Sequence, residues 1–134
     1  MTEEEKIKRA FKRKNWNETK TNDSWAIFKI MSEFVNGYEH LSRIGPCVSI
    51  FGSARTAPDD PNYQLAADIA ERLAKKGYGV ITGGGPGIME AGNKGAQKGN
   101  GASVGLNIEL PFEQNNNPYI DKDKNMSFDY FFVR

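Results

Sequence analysis

The sequence predicts an α/β fold, in which a parallel sheet is flanked by helices and preceded by an N-terminal helical extension. From residue 47 onward, short apolar runs alternate with segments of helical period, and glycines separate them. Adjacent parallel strands need a crossover connection, which is usually a helix. Gly45-Pro46 ends the extension, since a proline disfavours helix in the residue before it. We therefore expect the extension over residues 1–44 and the sheet domain over residues 45–134.

The extension has two parts of different character. Residues 1–20 carry interspersed basic and acidic side chains and few apolar ones, which favours a solvated helix or a frayed end over a nucleic-acid-binding arm. Over residues 21–44, apolar side chains recur every three or four positions, which predicts an amphipathic helix capped by Asn22, Asp23 or Ser24. The apolar stripe consists of Ile27, Met31, Phe34, Tyr38 and Leu41. It can pack on the sheet domain or meet a second subunit, and both alternatives stay open.

The sheet domain is expected to contain three strands, two helices and the start of a fourth strand. The predicted strands cover residues 48–51, 78–82 and 103–108, and the predicted helices cover residues 62–76 and 86–98. Residues 110–125 are rich in Asn, Pro and Asp, which predicts a loop. The aromatic run that should start the fourth strand consists of Phe128, Tyr130, Phe131, Phe132 and Val133.

Composition excludes several classes of function. The 134 residues include 18 Lys and Arg against 17 Asp and Glu, a net charge of +1, so no general field attracts nucleic acid or an anionic membrane. No apolar run approaches the length of a membrane span, and the acidic N-terminus does not resemble a signal peptide, so we expect a cytoplasmic protein. With one cysteine, Cys47, and one histidine, His40, we expect no disulfide and no metal site. Cys47 is interpreted as a small buried thiol and His40 as a surface or packing residue.

A glycine-rich loop is the most informative motif. Gly83, Gly84, Gly85 and Gly87 lie where a predicted strand ends and a predicted helix begins. Glycines there let a ligand approach the backbone amides and the helix N-terminus, which favours nucleotide binding over a simple turn. No Lys-Ser or Lys-Thr follows, so the loop is not a triphosphate-binding Walker A motif, and its glycine spacing differs from that of the dinucleotide fingerprint.

Glu90 constrains what this loop can bind. A carboxylate in the first helical turn is favoured by the helix dipole, which is a sufficient structural reason for it. The same charge would repel a phosphate docked on the same amides. If the loop binds a nucleotide, we expect Glu90 to face the ribose hydroxyls or the base, with the phosphate elsewhere.

A second loop follows the first predicted strand. Gly52 permits close approach, Ser53 offers a hydroxyl, and Arg55 carries a planar fork suited to phosphate. Arg55 can instead pair with Asp59 or Asp60, and this structural alternative is equally open. Both loops follow parallel strands within one βαβ unit, and ligands bind at the carboxyl ends of such strands, so the two loops are expected to share a cleft.

Together, the motifs at residues 52–55, 83–91 and 103–108 resemble the LOG ("lonely guy") family of Rossmann-like nucleotide-binding proteins, many of which carry an old lysine decarboxylase label. The resemblance covers residues 45–134. It implies a phosphoribohydrolase that cleaves a nucleoside 5′-monophosphate, AMP or a cytokinin nucleotide, into free base and ribose 5-phosphate. It also implies a homodimer, and we expect no cofactor.

The resemblance also implies the site residues. The nucleotide-binding residues would be Gly52, Ser53, Arg55, Gly83, Gly84, Gly85, Gly87, Met89 and Glu90. Arg134 would be the catalytic arginine, because residues 131–134 match the family's arginine segment. The family's catalytic glutamate lies in a downstream Pro-Gly-Gly-x-Gly-Thr-x-x-Glu motif that these 134 residues do not contain. We therefore expect the C-terminal strands to be missing and this chain alone to be a poor hydrolase. The alternatives are a non-catalytic nucleotide-binding module and an assembly protein that uses the 21–44 helix.

Overall fold

The computed structural model describes residues 2–10, 16–109 and 116–134. Its helices and strands are α1 (Glu3–Ala10), α2 (Trp16–Leu41), β1 (Cys47–Ser49), α3 (Pro61–Lys75), β2 (Gly79–Thr82), α4 (Ile88–Lys98), β3 (Ser103–Ile108) and β4 (Asn125–Phe128). The chain forms two compact units, Met1–Ser32 and Glu33–Arg134. The division falls within α2, so the last turns of this helix belong to the unit that contains the sheet.

The N-terminal unit contains α1 and the larger part of α2. Thr2 and Glu5 form a reciprocal cap at the start of α1: the Thr2 amide donates to Glu5 Oε2 at 2.8 Å, and the Glu5 amide donates to Thr2 Oγ1 at 3.2 Å. Exposed ion pairs such as Lys8–Glu4 at 3.1 Å follow, as expected for a solvated helix. No described helix is both long enough and apolar enough to cross a bilayer.

The predicted start of α2 is wrong. The helix begins at Trp16 and continues through Asn22, Asp23 and Ser24, whose side chains are exposed and do not cap it. Polar residues in the middle of an exposed helix cost only a few tenths of a kcal/mol each, roughly, so they do not end it. Further along the stripe, Ile27 and Met31 are each more than half exposed.

In the second unit the four strands form one parallel sheet in the order β1-β2-β3-β4. The register pairs Val48 with Val80 and Ile81 with Val104, and Leu106 faces Met126. Helices α3 and α4 connect the first three strands as crossovers. The predicted α/β class and its flanked parallel sheet are therefore confirmed.

Small residues let α3 and α4 pack closely on one face of this sheet. Ala70, Ala96 and Val80 are fully buried and form a single cluster there. A Cβ atom on Gly95 would overlap the carbonyl oxygen of Ala67 and would lie 2.7 Å from the Cβ of Ala70. The two helices can approach this closely only because residue 95 has no side chain.

We expect Gly95→Ala to lower the free energy of unfolding by about 1–3 kcal/mol, because α3 and α4 must move apart to admit the methyl group. Gly92→Ala is the matched control on the same helix. Its Cβ would lie 3.4 Å from Ile50, an ordinary contact, and alanine favours helix over glycine by roughly 1 kcal/mol. Urea denaturation of both variants measures the difference. Equal stability of the two would contradict this account of the packing.

The other face of the sheet is covered by the end of α2. Val104, Leu106 and Phe128 form its buried cluster, with Leu41 and Ile44 packed against them. Leu41, the last residue of the predicted apolar stripe, therefore packs on the sheet, whereas Tyr38 in the same stripe is 74% exposed.

The predicted strand over the aromatic run is wrong beyond its first residue. Strand β4 is Asn125–Phe128, and a turn follows in which the Val133 amide donates to the Tyr130 carbonyl at 3.2 Å. Phe131 and Phe132 are 71% and 65% exposed, because no neighbouring strand or helix covers them in the described chain. The predicted loop at residues 110–125 contains a short 3-10 helix, Lys122–Lys124, and its residues 110–115 lie outside the described residues.

Candidate functional site

The loops that follow β1 and β2 touch each other through their backbones. The Ile88 amide donates to the Ser53 carbonyl at 3.0 Å. Gly87 lies beside this bond with φ +76°, and a Cβ there would overlap the Ser53 carbonyl oxygen and lie 2.8 Å from the Ala54 carbonyl carbon. The structure thus brings together the two loops that the sequence placed at one edge of the sheet, and Gly87 is the residue that allows the contact.

Two of the other glycines make room for neighbouring side chains. A Cβ on Gly52 would lie 2.5 Å from Ile88 Cγ2, in the first turn of α4. Gly84 has φ +79°, and a Cβ there would overlap the side-chain amide of Asn107. Internal packing alone therefore requires glycine at both positions.

Gly83 and Gly85 instead border Met89 and Arg134. A Cβ on Gly83 would lie 3.0 Å from Met89 Sδ and 3.1 Å from Arg134 Nη1, and one on Gly85 would lie 3.0 Å from Met89 Cε. Arg134, which is 51 residues further along the chain, thus places its guanidinium against the glycine loop. The family resemblance implied nucleotide binding for the glycines and Met89 and catalysis for Arg134, and these roles stay predictions. The structure places these residues next to one another.

The Arg134 guanidinium lies between two aromatic rings. Its central carbon is 5.7 Å from the centroid of Phe51 and 5.0 Å from that of Phe131, which is cation–π geometry. No described aspartate or glutamate forms an ion pair with it. Its positive charge at the loop is therefore not neutralised by any described carboxylate.

Arg55 is exposed beside the junction of the loops, and its amide donates to Ser53 Oγ at 3.2 Å. The alternative ion pair with Asp59 or Asp60 is not formed. Asp60 instead caps α3, since its Oδ1 accepts from the Asn62 amide at 2.8 Å. Both arginines of the candidate site thus lack a carboxylate partner within the described chain.

Glu90 lies in the first turn of α4 and is directed toward α3. Its Oε2 accepts a hydrogen bond from the buried Tyr63 hydroxyl at 3.1 Å. The Lys94 ammonium lies 5.8 Å from the centroid of the Tyr63 ring and 5.7 Å from that of Tyr119. That Glu90 faces a ribose or base remains a prediction. Burial, and then the hydrogen bond to Glu90, raise the pKa of Tyr63 to about 12.

We expect Tyr63→Phe to change the alkaline stability profile. The folded protein holds this proton up to about pH 12, whereas an unfolded tyrosine releases it near its ordinary pKa of 10. Between about pH 10 and pH 12, Tyr63 therefore makes the free energy of unfolding fall as the pH rises. Below about pH 10 it does not make the free energy of unfolding depend on pH. Urea denaturation at several alkaline pH values should show a shallower fall for Tyr63→Phe. Identical profiles for the two proteins would contradict this role.

A buried polar network, which the sequence analysis missed, holds the glycine loop from beneath. Thr82 Oγ1 accepts from the Gly84 amide at 3.0 Å and donates to Asn93 Oδ1 at 2.6 Å. The Asn117 side-chain amide donates to the Gly85 carbonyl and to Asn93 Oδ1, both at 3.0 Å. Each buried side-chain nitrogen or oxygen atom in the described residues has a partner, so the network specifies one loop conformation. Thr82 ends a predicted strand and Asn93 lies within a predicted helix, but no local pattern indicated that their side chains meet.

The cysteine and the histidine lie on other elements. Cys47 is half-buried in β1, where burial raises the pKa of its thiol. His40 is exposed on α2, with Nδ1 2.7 Å from the Asn36 carbonyl oxygen. Among the described residues, no three His, Cys, Asp or Glu side chains are grouped so as to hold a metal ion.

Comparison with known proteins identifies a family for this chain. The SLOG cluster4 family (LDcluster4) matches residues 46–123, more than half of the chain. No curated protein matches significantly. Among solved structures, the X-ray structure of TM1055, a Northeast Structural Genomics Consortium target, is 30% identical over 61% of this chain, with a TM-score of 0.46. This chain covers 45% of TM1055, less than half of its length. The resemblance to the LOG-type, Rossmann-like nucleotide-binding proteins is confirmed at the level of the family: the chain belongs to the SLOG cluster4 family.

Proposed function

We propose that the glycine-loop cleft binds a nucleoside 5′-monophosphate of the AMP type. The observation that carries the proposal is the position of the Arg134 guanidinium beside Gly83, where a Cβ on the glycine would lie 3.1 Å from Nη1. It puts a cation without a described carboxylate partner at the carboxyl end of parallel strands, beside a helix N-terminus. Such edges bind nucleotides because amides and cations there converge on an anionic ligand.

The charges around the loop suggest how the ligand would lie. Arg55 and the Ser53 hydroxyl are exposed next to Gly87, at one end of the loop, and would hold the phosphate. The carboxylate of Glu90, within α4, repels phosphate and would accept hydrogen bonds from the ribose hydroxyls. Arg134 contacts the other end of the loop, at Gly83.

The finer proposal is that this cleft forms part of a phosphoribohydrolase site. In that reaction the bond between ribose C1′ and the base nitrogen breaks, water adds its hydroxyl to C1′, and the departing base takes up a proton. Positive charge develops on the sugar ring, and a nearby carboxylate stabilises it.

One observation favours the second candidate, a non-catalytic nucleotide-binding module. Glu90 is the carboxylate nearest in sequence to the glycine loop, and its Oε2 is already bonded to the Tyr63 hydroxyl. This bond restrains Glu90 on the α3 side and makes its carboxylate less available to a developing charge.

Calorimetric titration with AMP, followed by chromatography for free adenine, tests both candidates. We expect saturable AMP binding with little or no adenine release by this chain. Adenosine and ribose 5-phosphate serve as partial ligands and should each bind more weakly than AMP. Absence of AMP binding would refute the proposed ligand, and rapid adenine release would refute the non-catalytic module.

We also propose that the protein forms a homodimer through α2. Trp25, Phe28, Val35 and Tyr38 on this helix are 63–74% exposed. Exposed apolar surface of this kind is typical of protein interfaces. Sedimentation equilibrium should give a dimer mass that falls to the monomer mass in the double variant Phe28→Glu/Val35→Glu. A monomer mass for the unaltered protein would contradict the proposal.

A further inference from the structure

The turn that leads to Arg134 is held by a carboxylate from helix α2. Glu33 Oε1 accepts a hydrogen bond from the Asp129 amide at 2.6 Å, and Oε2 accepts one from the Tyr130 amide at 3.3 Å. Both oxygens of one side chain thus bind two successive backbone amides of a segment that is 96 residues away in sequence.

The position of these amides explains why a carboxylate is needed. Strand β4 ends at Phe128, so the chain leaves the sheet at Asp129 and loses the regular acceptors of a strand. The Asp129 bond is exposed and the Tyr130 bond is partly buried, so leaving the Tyr130 amide unpaired would be the more costly of the two. Bonds to a charged acceptor are also stronger than bonds to a neutral one. A glutamate supplies two charged acceptors at once, whereas glutamine supplies one neutral acceptor.

The clamped amides lie immediately before the segment that reaches the glycine loop. The Val133 amide donates to the Tyr130 carbonyl at 3.2 Å, which closes the turn. Val133 then packs against the cluster of Leu106 and Phe128, and the next residue, Arg134, contacts Gly83. The direction of the turn, which Glu33 restrains at its start, therefore sets where the Arg134 guanidinium lies.

We propose that Glu33 is a positioning residue for the nucleotide site, because it clamps the Asp129–Tyr130 turn and thereby holds Arg134 against the glycine loop. The consequence for ligand binding rests on the proposed nucleotide function. The placement of Arg134 does not depend on that function and has a readout of its own.

The first test uses NMR on the protein without ligand. In Glu33→Gln, hydrogen exchange of the Asp129 and Tyr130 amides should accelerate by about tenfold, which corresponds to losing one charged hydrogen bond. The Arg134 Nε–H resonance, shifted by the rings of Phe51 and Phe131, should move toward the value for a free arginine. Glu39→Gln is the matched control, because Glu39 is an exposed residue of the same helix that pairs with Arg43 at 3.5 Å. Unchanged exchange and an unchanged Arg134 resonance in Glu33→Gln would overturn the proposal.

The second test is a double-mutant cycle on AMP affinity. We expect Glu33→Gln to weaken AMP binding by about five- to tenfold when Arg134 is present and to have no effect in an Arg134→Ala background. An equal loss in both backgrounds would overturn the positioning role. A protein that binds no AMP would refute the proposed function, and the NMR result would then decide the positioning role separately. A melting temperature of Glu33→Gln close to that of Glu39→Gln shows that the fold is intact.

Discussion

Arg134→Ala is expected to weaken AMP binding by at least about tenfold, since a charge-assisted hydrogen bond contributes roughly 1.5–3 kcal/mol. The guanidinium lies against Gly83 and has no described carboxylate partner, so its interactions are available to a ligand. The aromatic rings of Phe51 and Phe131 hold it in place. Isothermal titration calorimetry with AMP measures the loss.

Two further variants separate charge from shape at this position. Arg134→Lys keeps the charge but loses the planar fork, so it should recover only part of the affinity. Arg72→Ala removes an exposed arginine from the last turn of α3 and should leave AMP affinity unchanged. An Arg134→Ala protein that binds AMP as tightly as the Arg72→Ala protein would exclude Arg134 from the site.

Gly87→Ala is expected to destabilise the fold by about 3 kcal/mol or more, because two costs add. The conformation at φ +76° and ψ −131° is almost restricted to glycine and costs a side chain roughly 1–3 kcal/mol. The added methyl group would also overlap the Ser53 carbonyl oxygen, a backbone atom that cannot rotate away. The two loops must then separate, and the hydrogen bond from Ile88 to Ser53 is lost. Urea denaturation monitored by circular dichroism measures the change.

The Gly77→Ala variant separates the cost of an unfavourable backbone conformation from the cost of a steric clash. Gly77 has φ +97°, but a Cβ there would meet nothing within 4 Å. Only the backbone cost remains, so we expect a loss of roughly 1–2 kcal/mol. If the two variants were equally destabilised, the contact between the loops would contribute nothing beyond backbone conformation.

The parallel sheet and the meeting of the two loops could be predicted from local patterns. Apolar period distinguishes strand from helix, and Gly83 to Gly87 mark the end of β2 and the start of α4. The errors arose where local pattern carried too little information. The residues at 22–24 are good caps but also tolerable helix residues, and α2 had already begun at Trp16. The aromatic run after Phe128 has the composition of a strand but no neighbouring strand to pair with it.

The reasons for particular glycines were also hidden from the sequence. The lack of a side chain at Gly52 was expected to let a ligand approach the backbone. In the structure, the space that a Cβ would occupy there is taken by the side chain of Ile88. Asn93 could be placed on a helix, but its bonds to Thr82 and Asn117 depend on two other segments that lie close only in the fold.

The amino-acid pattern was sufficient to predict the α/β class, the order of strands and helices in the sheet domain, and the edge of the sheet at which the two loops meet. These properties follow from hydrophobic period and from the conformations of glycine and proline, which act within one segment or between neighbours. The folded chain was needed to place Arg134 against Gly83, to bond Glu90 to Tyr63 and to clamp the Asp129–Tyr130 turn with Glu33. Each of these contacts joins residues far apart in sequence, and their proximity depends on how the helices and the sheet pack.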